Sequence, residues 1–345
     1  MHVRNFSEAD TQNLIEFVTG YSPFWGLKSA QAETYFRWLY CRNPFGTSHL
    51  GLAFDENGQL IGFEGLVRWK LLFGENEISC VKGENMLTHP AHRGRGIASA
   101  LASYLNTEAQ RSGIQLRLSP IHNPTESRVL QKAGLRQVRD CVVYHAKVYN
   151  YVPVLMGRLK SKLRKTTPAH PVDKDFIKDP LMSVQTLVSQ DGFSNLLKQD
   201  RQQYDQHRLT TPRKIEYVNW RYGEHPTITY YTTAVKEGNS LTAAAIFRPR
   251  LGPQGFKIIE LRELFVDRDE AILTLLEKLL RTTRAAYVEG GWSPSSTKHQ
   301  ILRSLGFKPT ADRIHLLVKI LNPGMMGTPF QPGGWNINAS EIERN

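Results

Sequence analysis

Three cysteines in 345 residues, Cys41, Cys80 and Cys141, are too few and too scattered for a disulfide framework or a thiolate metal cluster. No apolar run approaches the roughly 20 residues needed to span a bilayer. The opening stretch, MHVRNFSEADTQNLIEF, lacks the basic start and apolar run of a signal peptide. Acid is also scarce, with 32 Asp and Glu against 44 Lys and Arg, a formal net charge of +12. These absences argue against a disulfide-stapled secreted domain and a helical membrane protein, and the expected setting is reducing and cytoplasmic. The basic excess favours an anionic partner: nucleic acid, a membrane surface or a phosphate-rich cofactor. Charge alone does not choose among them.

What is present is a globular balance, 40% hydrophobic and 22% charged residues, in a chain long enough for two cores of roughly 150 residues each. The chain echoes itself. Tyr35-Phe-Arg-Trp38-Leu-Tyr40-Cys-Arg-Asn-Pro44 returns as Tyr217-Val-Asn-Trp220-Arg-Tyr222-Gly-Glu-His-Pro226, with Tyr, Trp, Tyr and Pro at the same offsets. After each copy come strand-like runs joined by a Gly- and Asn-containing turn, at 55–58 and at 237–240. A third strand, a helix with apolar residues three and four apart, a short strand and a second helix follow in both halves. The second helices stop at Ala133-Gly134-Leu135 and Leu305-Gly306-Phe307. The expected class is therefore α/β with mixed sheets, in two tandem domains over 1–150 and 181–322. Each would have a mostly antiparallel central sheet flanked by helices. A basic linker, 151–180, separates them; its 155–165 segment reads as an amphipathic basic helix suited to peripheral membrane contact or to a solvated connector. The end, 323–345, is rich in Gly, Pro and Asn and reads as an extended, loosely packed tail.

The most informative segment is Glu84-Asn-Met-Leu-Thr-His-Pro90-Ala-His-Arg93-Gly-Arg-Gly-Ile-Ala98. A strand ends, a glycine-rich turn follows and a long helix begins, so unpaired backbone N–H groups meet the positive end of the helix dipole. Gly94 and Gly96 remove Cβ atoms that would block a pyrophosphate, and Arg93 and Arg95 add charge. No Gly-Lys-Ser/Thr follows, and the glycine spacing is not that of a dinucleotide fingerprint.

Arg93-x-x-Gly96-x-Ala98 resembles the Gln/Arg-x-x-Gly-x-Gly/Ala signature of the GNAT acetyltransferases, with the hydrophobic-x-x-Pro stretch of that family before it. The helix from Asn123 to Gly134-Leu135 resembles the family's later helix, which starts at an Asn and ends in Gly-Phe. The resemblance is clear over residues 1 to about 150 and holds in outline beyond. It implies acetyl-CoA as co-substrate. Backbone groups of Met86, Leu87 and Thr88 would bind the pantetheine arm. Arg93, Gly94, Arg95, Gly96, Ile97 and Ala98 would hold the pyrophosphate, with Asn123 near the thiol end. The second half has Phe265-Val-Asp-Arg-Asp-Glu-Ala-Ile at the equivalent point, without glycine and with three acids, so one cofactor site per chain is expected.

Acetyl transfer needs a neutral amine, a polarised carbonyl and a proton for the thiolate. Glu84 is the candidate general base, the alternative being a structural pair with Lys82 or Arg117. The family often has a Tyr general acid where this chain has Leu130, leaving Ser127, Tyr104 or His122, within range by sequence, or water as the donor. Cys80 reads as a small buried apolar residue. His89 and His92 lack a third ligand, and no metal is expected. Trp38, Tyr40, Trp220 and Tyr222 read as core, with an acceptor slot as the alternative. The resulting expectation is an N-acetyltransferase acting on a primary amine of a small molecule or amino sugar. The alternatives are a Fem-type transferase using aminoacyl-tRNA, against which the intact cradle argues, and a non-catalytic acyl-CoA-binding protein. A nucleic-acid partner is not expected, and the oligomeric state is open.

Overall fold

The computed structural model describes residues 1–22, 27, 29–121, 123–151, 181–202, 207–252, 256–325 and 327–342. The basic 155–165 segment and His122 lie outside the described residues. The strands are β1 (His2–Asn5), β2 (His49–Phe54), β3 (Leu60–Phe73), β4 (Asn76–Thr88), β5 (Leu116–Pro120) and β6 (Arg136–Val148), then β7 (Met182–Ser183), β8 (Tyr231–Glu237), β9 (Ser240–Leu251), β10 (Lys257–Val266), β11 (Tyr287–Trp292) and β12 (Lys308–Ile320). The helices that matter here are α1 (Thr11–Tyr21), α2 (Ser29–Phe36), α3 (Ile97–Arg111), α4 (Pro124–Lys132), α5 (Phe193–Gln202), α6 (Ala271–Thr282) and α7 (Thr297–Ser304).

The twelve strands of the described residues form one mixed sheet, in the order β1-β2-β3-β4-β5-β12-β6-β11-β10-β9-β8-β7. Among the strand pairs of the described residues, only β4–β5 and β10–β11 run parallel. The expected turns are present: at 55–58 the Asp55 carboxylate accepts from the Asn57 and Gln59 amides, with Gly58 at φ 77°. The sheet departs from the expectation of one sheet per half. β6 leaves its own half to pair with β11 and β12, and β12 returns to pair with β5. This exchange covers edges that β5 and β11 would otherwise expose.

Strand alternation sorts the two faces. Leu52, Phe54 and Phe63 face α1 and α2, while Ala53 and Leu66 pack under α3. Gly51 and Gly62 let α3 lie close, since a Cβ on Gly62 would sit 2.6 Å from Ile97.

The repeated aromatic segments meet at the centre. Trp38 and Trp220 stack with ring centroids 5.1 Å apart at 19°. Each indole N–H donates to the other's backbone carbonyl, at 2.8 and 2.9 Å. Both sit in single π-helical turns, Arg37–Cys41 and Asn219–Gly223. Trp38, Tyr40, Trp220 and Tyr222 are all buried, the core role of the two read from the sequence.

Within the expected tail, residues 334–342 are not loosely packed. Trp335 is fully buried, and Asn336 to Ile342 are buried with it. The Leu209 amide donates to the Gly334 carbonyl, and the Asn336 amide to the Leu209 carbonyl. Lys82 Nζ donates to the Glu341 carbonyl at 2.8 Å, and Arg221 to that of Ser340. Trp335, Ile337 and Ile342 supply apolar anchors that Gly- and Pro-rich composition conceals.

Candidate active site at the fork of two strands

β4 and β5 pair only over Cys80–Lys82 and Leu116–Leu118 and then diverge. The cause is local. Gly65 of β3 faces Asn85 and Leu66 faces Gly83, so Glu84 is an extra residue, a β-bulge that bends β4 away. The His89 amide donates to the Ile61 carbonyl of β3. Antiparallel alternation then turns the backbone groups of Met86 and Thr88 toward the opened edge.

A cavity of about 590 Å³ occupies the fork. Asn85, Met86, Leu87 and Thr88 line one wall; His92, Arg93, Gly94, Gly96, Ile97, Ala98 and Ser99 form its head; Asn123, Thr125, Glu126, Val129 and Lys132 close it from α4. Gly94 and Gly96 both have φ 79°, and a Cβ on either would point into open space. The amides of Ile97, Ala98 and Ser99 meet no backbone acceptor among the described residues, because α3 begins with the Ala100-to-Gly96 bond. Donors, a helix dipole and room for a bulky anion thus converge where the glycines stand. Every residue proposed from sequence for the cofactor lines this cavity except Arg95.

Asn123 caps α4: its Oδ1 accepts from the Glu126 amide at 2.7 Å, and its Nδ2 donates to the Glu126 carboxylate at 3.1 Å. The structure does not bring Glu84 to the cavity. Glu84 is 5% exposed and its carboxylate lies 2.5 Å from Lys82 Nζ, so the bulge directs it into a buried ion pair. Burial pushes the Lys82 ammonium down, and Glu84 pulls it back up. The general-base expectation is corrected accordingly to the structural pairing. Leu130 packs with Ala102, Leu135 and Leu317 in the core under α3 and α4. Ser127 accepts from Gln131, Tyr104 packs beside Leu105 and Ala109, and neither lines the cavity. Cys80 is fully buried, and burial pushes its thiol far above the ordinary range.

The sequence reading missed the α1 wall, made of Val18, Tyr21 and Ser22, with Phe63 beside it. Its signal was present: Leu14, Phe17, Val18 and Tyr21 follow the i, i+3, i+4, i+7 stripe of a helix face. Tyr21 packs edge-on against His89, with centroids 4.4 Å apart. Phe63 and Leu87 belong to the core under α1, whereas Met86 packs beside Ala102 and Leu130. The fork therefore opens on both faces of the sheet.

The second half has the same fork, closed from within. β10 bulges at Arg262, since Leu261 and Glu263 face adjacent residues of β9. Counting from each bulge, Leu264 and Val266 stand where Met86 and Thr88 stand. Lys298 Nζ donates to the Leu264 carbonyl, and the Val266 amide donates to Asp200 at 3.1 Å. Lys298 and Asp200 are paired at 2.8 Å. The first amides of α6 are also taken, by the carbonyls of Arg268, Asp269 and Glu270.

Residues 14–133 match the family model described as the acetyltransferase (GNAT) family. No curated protein matches the chain. Among solved structures the chain resembles a GCN5-related N-acetyltransferase from Anabaena variabilis ATCC 29413, at 15% identity and TM-score 0.64, over 93% of this chain and 73% of that one. It also resembles a conserved protein of unknown function from Enterococcus faecalis V583, a probable N-acyltransferase, at 12% identity and TM-score 0.64, over 93% and 72%. A third is Eis1 from Mycobacterium abscessus, at 16% identity and TM-score 0.57, over 93% and 74%. At these identities the likeness is one of fold. Residues 14–133 thus carry a GNAT acetyltransferase domain within a large mixed sheet.

Proposed function

We propose that this chain is an acetyl-CoA-dependent N-acetyltransferase that acts on a primary amine of a small molecule or amino sugar by direct attack. The observation that carries the reading is the joining of two features in one cavity. The glycine-cleared start of α3 runs continuously into the open edge of β4 at Met86 and Thr88. A pyrophosphate suits the first and an amide-bearing arm the second. The α4 face of the fork, with Asn123, then takes the thioester end, and the α1 face takes the amine. Acetyl-CoA supplies the activated acyl group. The chain supplies orientation, which by itself accounts for a large share of such rate enhancements.

The second half belongs to the same reading as a degenerate copy without a cofactor site. The reciprocal tryptophan pair, the matched bulges and the repeated element order support it. A cytoplasmic location accords with the fact that, among the described residues, no helix is long and apolar enough to cross a membrane. Peripheral membrane contact through 155–165 remains part of the proposal. Leu130, fixed in the core, favours one second reading: an acyl-CoA-binding protein without turnover.

Calorimetric titration of acetyl-CoA tests the cradle. One site per chain is expected for the wild type. In Gly96→Glu, a side chain at φ 79° would project a carboxylate into the head of the cavity. Affinity should then fall at least about 100-fold, roughly 2.7 kcal/mol. No binding by a folded wild type would refute the reading. Binding without acetylation of any amine in a broad panel would leave the non-catalytic reading standing.

A further inference from the structure

The two sides of the fork differ in charge. The histidine, arginine, glutamate and lysine that border the cavity, His92, Arg93, Glu126 and Lys132, stand at its head or on α4. The α1 side is formed by Val18, Tyr21, Ser22, Phe63, Asn85 and Leu87, and among the described residues it carries no charged side chain. Tyr21 is 39% exposed there, its ring held edge-on to His89. A polyamine would bring several ammonium groups to a wall without an anion, and burying a charge without a partner is costly. A sugar would bring more hydroxyls than Tyr21, Ser22 and Asn85 can satisfy. An apolar surface with a few placed polar groups suits an apolar ligand with one polar end.

Asn85 supplies the polar group at the deep end. It is the first β4 residue beyond the bulge and the first of that strand to border the cavity, opposite the glycine turn. Alternation puts it with Leu87 on the α1 side and Met86 on the other. Its Nδ2 donates to the Tyr40 hydroxyl at 2.8 Å. That hydroxyl lies over Gly65, the cross-strand neighbour of Asn85, where a Cβ would collide with it. Tyr40 therefore orients the carboxamide, and an oriented group loses little freedom when it binds. The matched position of the second half bears Glu263, tied to Tyr222, Arg213 and Asn338. A carboxylate fits beside the tyrosine there, whereas the open fork has an uncharged amide.

We propose that the acceptor is a primary amine on an apolar, aromatic body, with Asn85 holding the amine and the α1 wall holding the body. The proposal rests on the acetyl-transfer reading above and narrows its substrate. An arm that starts at the glycine turn and follows Thr88 and Met86 ends at the depth of Asn85. There the carboxamide oxygen accepts an N–H of the incoming amine and orients its nitrogen. The apolar body lies along Leu87 and Val18, with its ring toward Tyr21 at the mouth.

The test measures steady-state acetylation of 2-phenylethylamine, ethylamine, glucosamine and spermidine, together with acetyl-CoA titration. Wild type should favour 2-phenylethylamine over each of the others by at least about 100-fold in kcat/KM, the scale of burying several apolar carbons. Asn85→Ala should lower kcat/KM for 2-phenylethylamine and ethylamine alike, about tenfold, as for one oriented hydrogen bond. Tyr21→Ala, at an exposed side chain that the fold does not need, should cut the preference over ethylamine about fivefold. Both variants should bind acetyl-CoA within about twofold of wild type, which separates an acceptor role from a cofactor or folding defect. Faster turnover of glucosamine or spermidine by wild type overturns the proposal and leaves acetyl transfer standing. Acetyl-CoA binding without acetylation of 2-phenylethylamine overturns it as well, as do wild-type acceptor kinetics in both variants. A wild type that neither binds nor turns over acetyl-CoA overturns the acetyltransferase reading and this proposal with it.

Discussion

At the bulge of β4 the offsets carry Lys82 and Glu84, 2.5 Å apart; at the bulge of β10 they carry Glu260 and Arg262, 2.7 Å apart. The geometry is the same and the charges are reversed. The next residues are matched too: Asn85 donates to the Tyr40 hydroxyl at 2.8 Å, and Tyr222 donates to Glu263 at 2.8 Å. Yet one fork is open and the other shut. The difference lies in two side chains brought from outside the strands. On α5, Phe193, Leu196, Leu197 and Asp200 repeat the spacing of Leu14, Phe17, Val18 and Tyr21 on α1. An acid thus stands where the first half has a tyrosine. Together with Lys298 of α7 it satisfies the β10 backbone groups whose β4 counterparts face the cavity. A bulge makes a fork; what enters it decides whether a ligand can.

That contrast breaks most readily at Lys298. It is 6% exposed and Asp200 2%, so Lys298→Ala would leave a carboxylate buried without its cation. Loss of one partner of such a pair costs about 3–5 kcal/mol. Urea unfolding should show this, and a change under 1 kcal/mol would mean that the pair does not hold the second fork closed.

Acid should expose the second half next. The cap of α4 places Glu126 at its third position, and the cap of α7 places His299 there. His299 stacks edge-on with His145, with centroids 4.3 Å apart. Burial, then His145 and Arg303, push its pKa down from 6.5 to about 4. The unfolded chain therefore binds the proton first, so stability falls as pH drops from about 6.5 through about 4 and is unaffected by this group above that window. The loss should be about 2–3 kcal/mol. His299→Leu should flatten the profile there, and an unchanged profile would assign the acid loss elsewhere.

The smallest expected effect sharpens the comparison from the other side. Tyr21→Asp gives the first half the residue of the second. Without a lysine to pair with, the aspartate should weaken acetyl-CoA binding about tenfold, roughly 1.4 kcal/mol, while leaving the fold intact. Titration showing unchanged affinity would mean that a charge at position 21, on the α1 wall, is not felt where acetyl-CoA binds.

Much of the first half was legible because its signal is local. Gly94 and Gly96 in a strand-to-helix turn imply positive φ and a cleared helix start, and the structure has both. The Tyr-x-x-Trp-x-Tyr echo was legible as a repeat, but not as one tryptophan stacked on the other. Glu84 was misjudged because a bulge changes which way a strand residue points, and no local pattern announces one. The buried tail was misread because glycine and proline dominate its composition, whereas Trp335 and Ile337 determine its burial.

By itself the sequence determined the alternation of elements, the positive-φ glycine turn at 93–98 and the capped helix at Asn123. These depend on backbone preferences and on contacts within a few residues. Only the tertiary structure decided the exchange of β6 and β12, the pairing of Lys82 with Glu84, and the plug of Asp200 and Lys298. Each of these joins side chains or strands distant in the chain, or depends on how two strands part. Such contacts are fixed by packing and by the need to satisfy buried polar groups, which are properties of the assembled core.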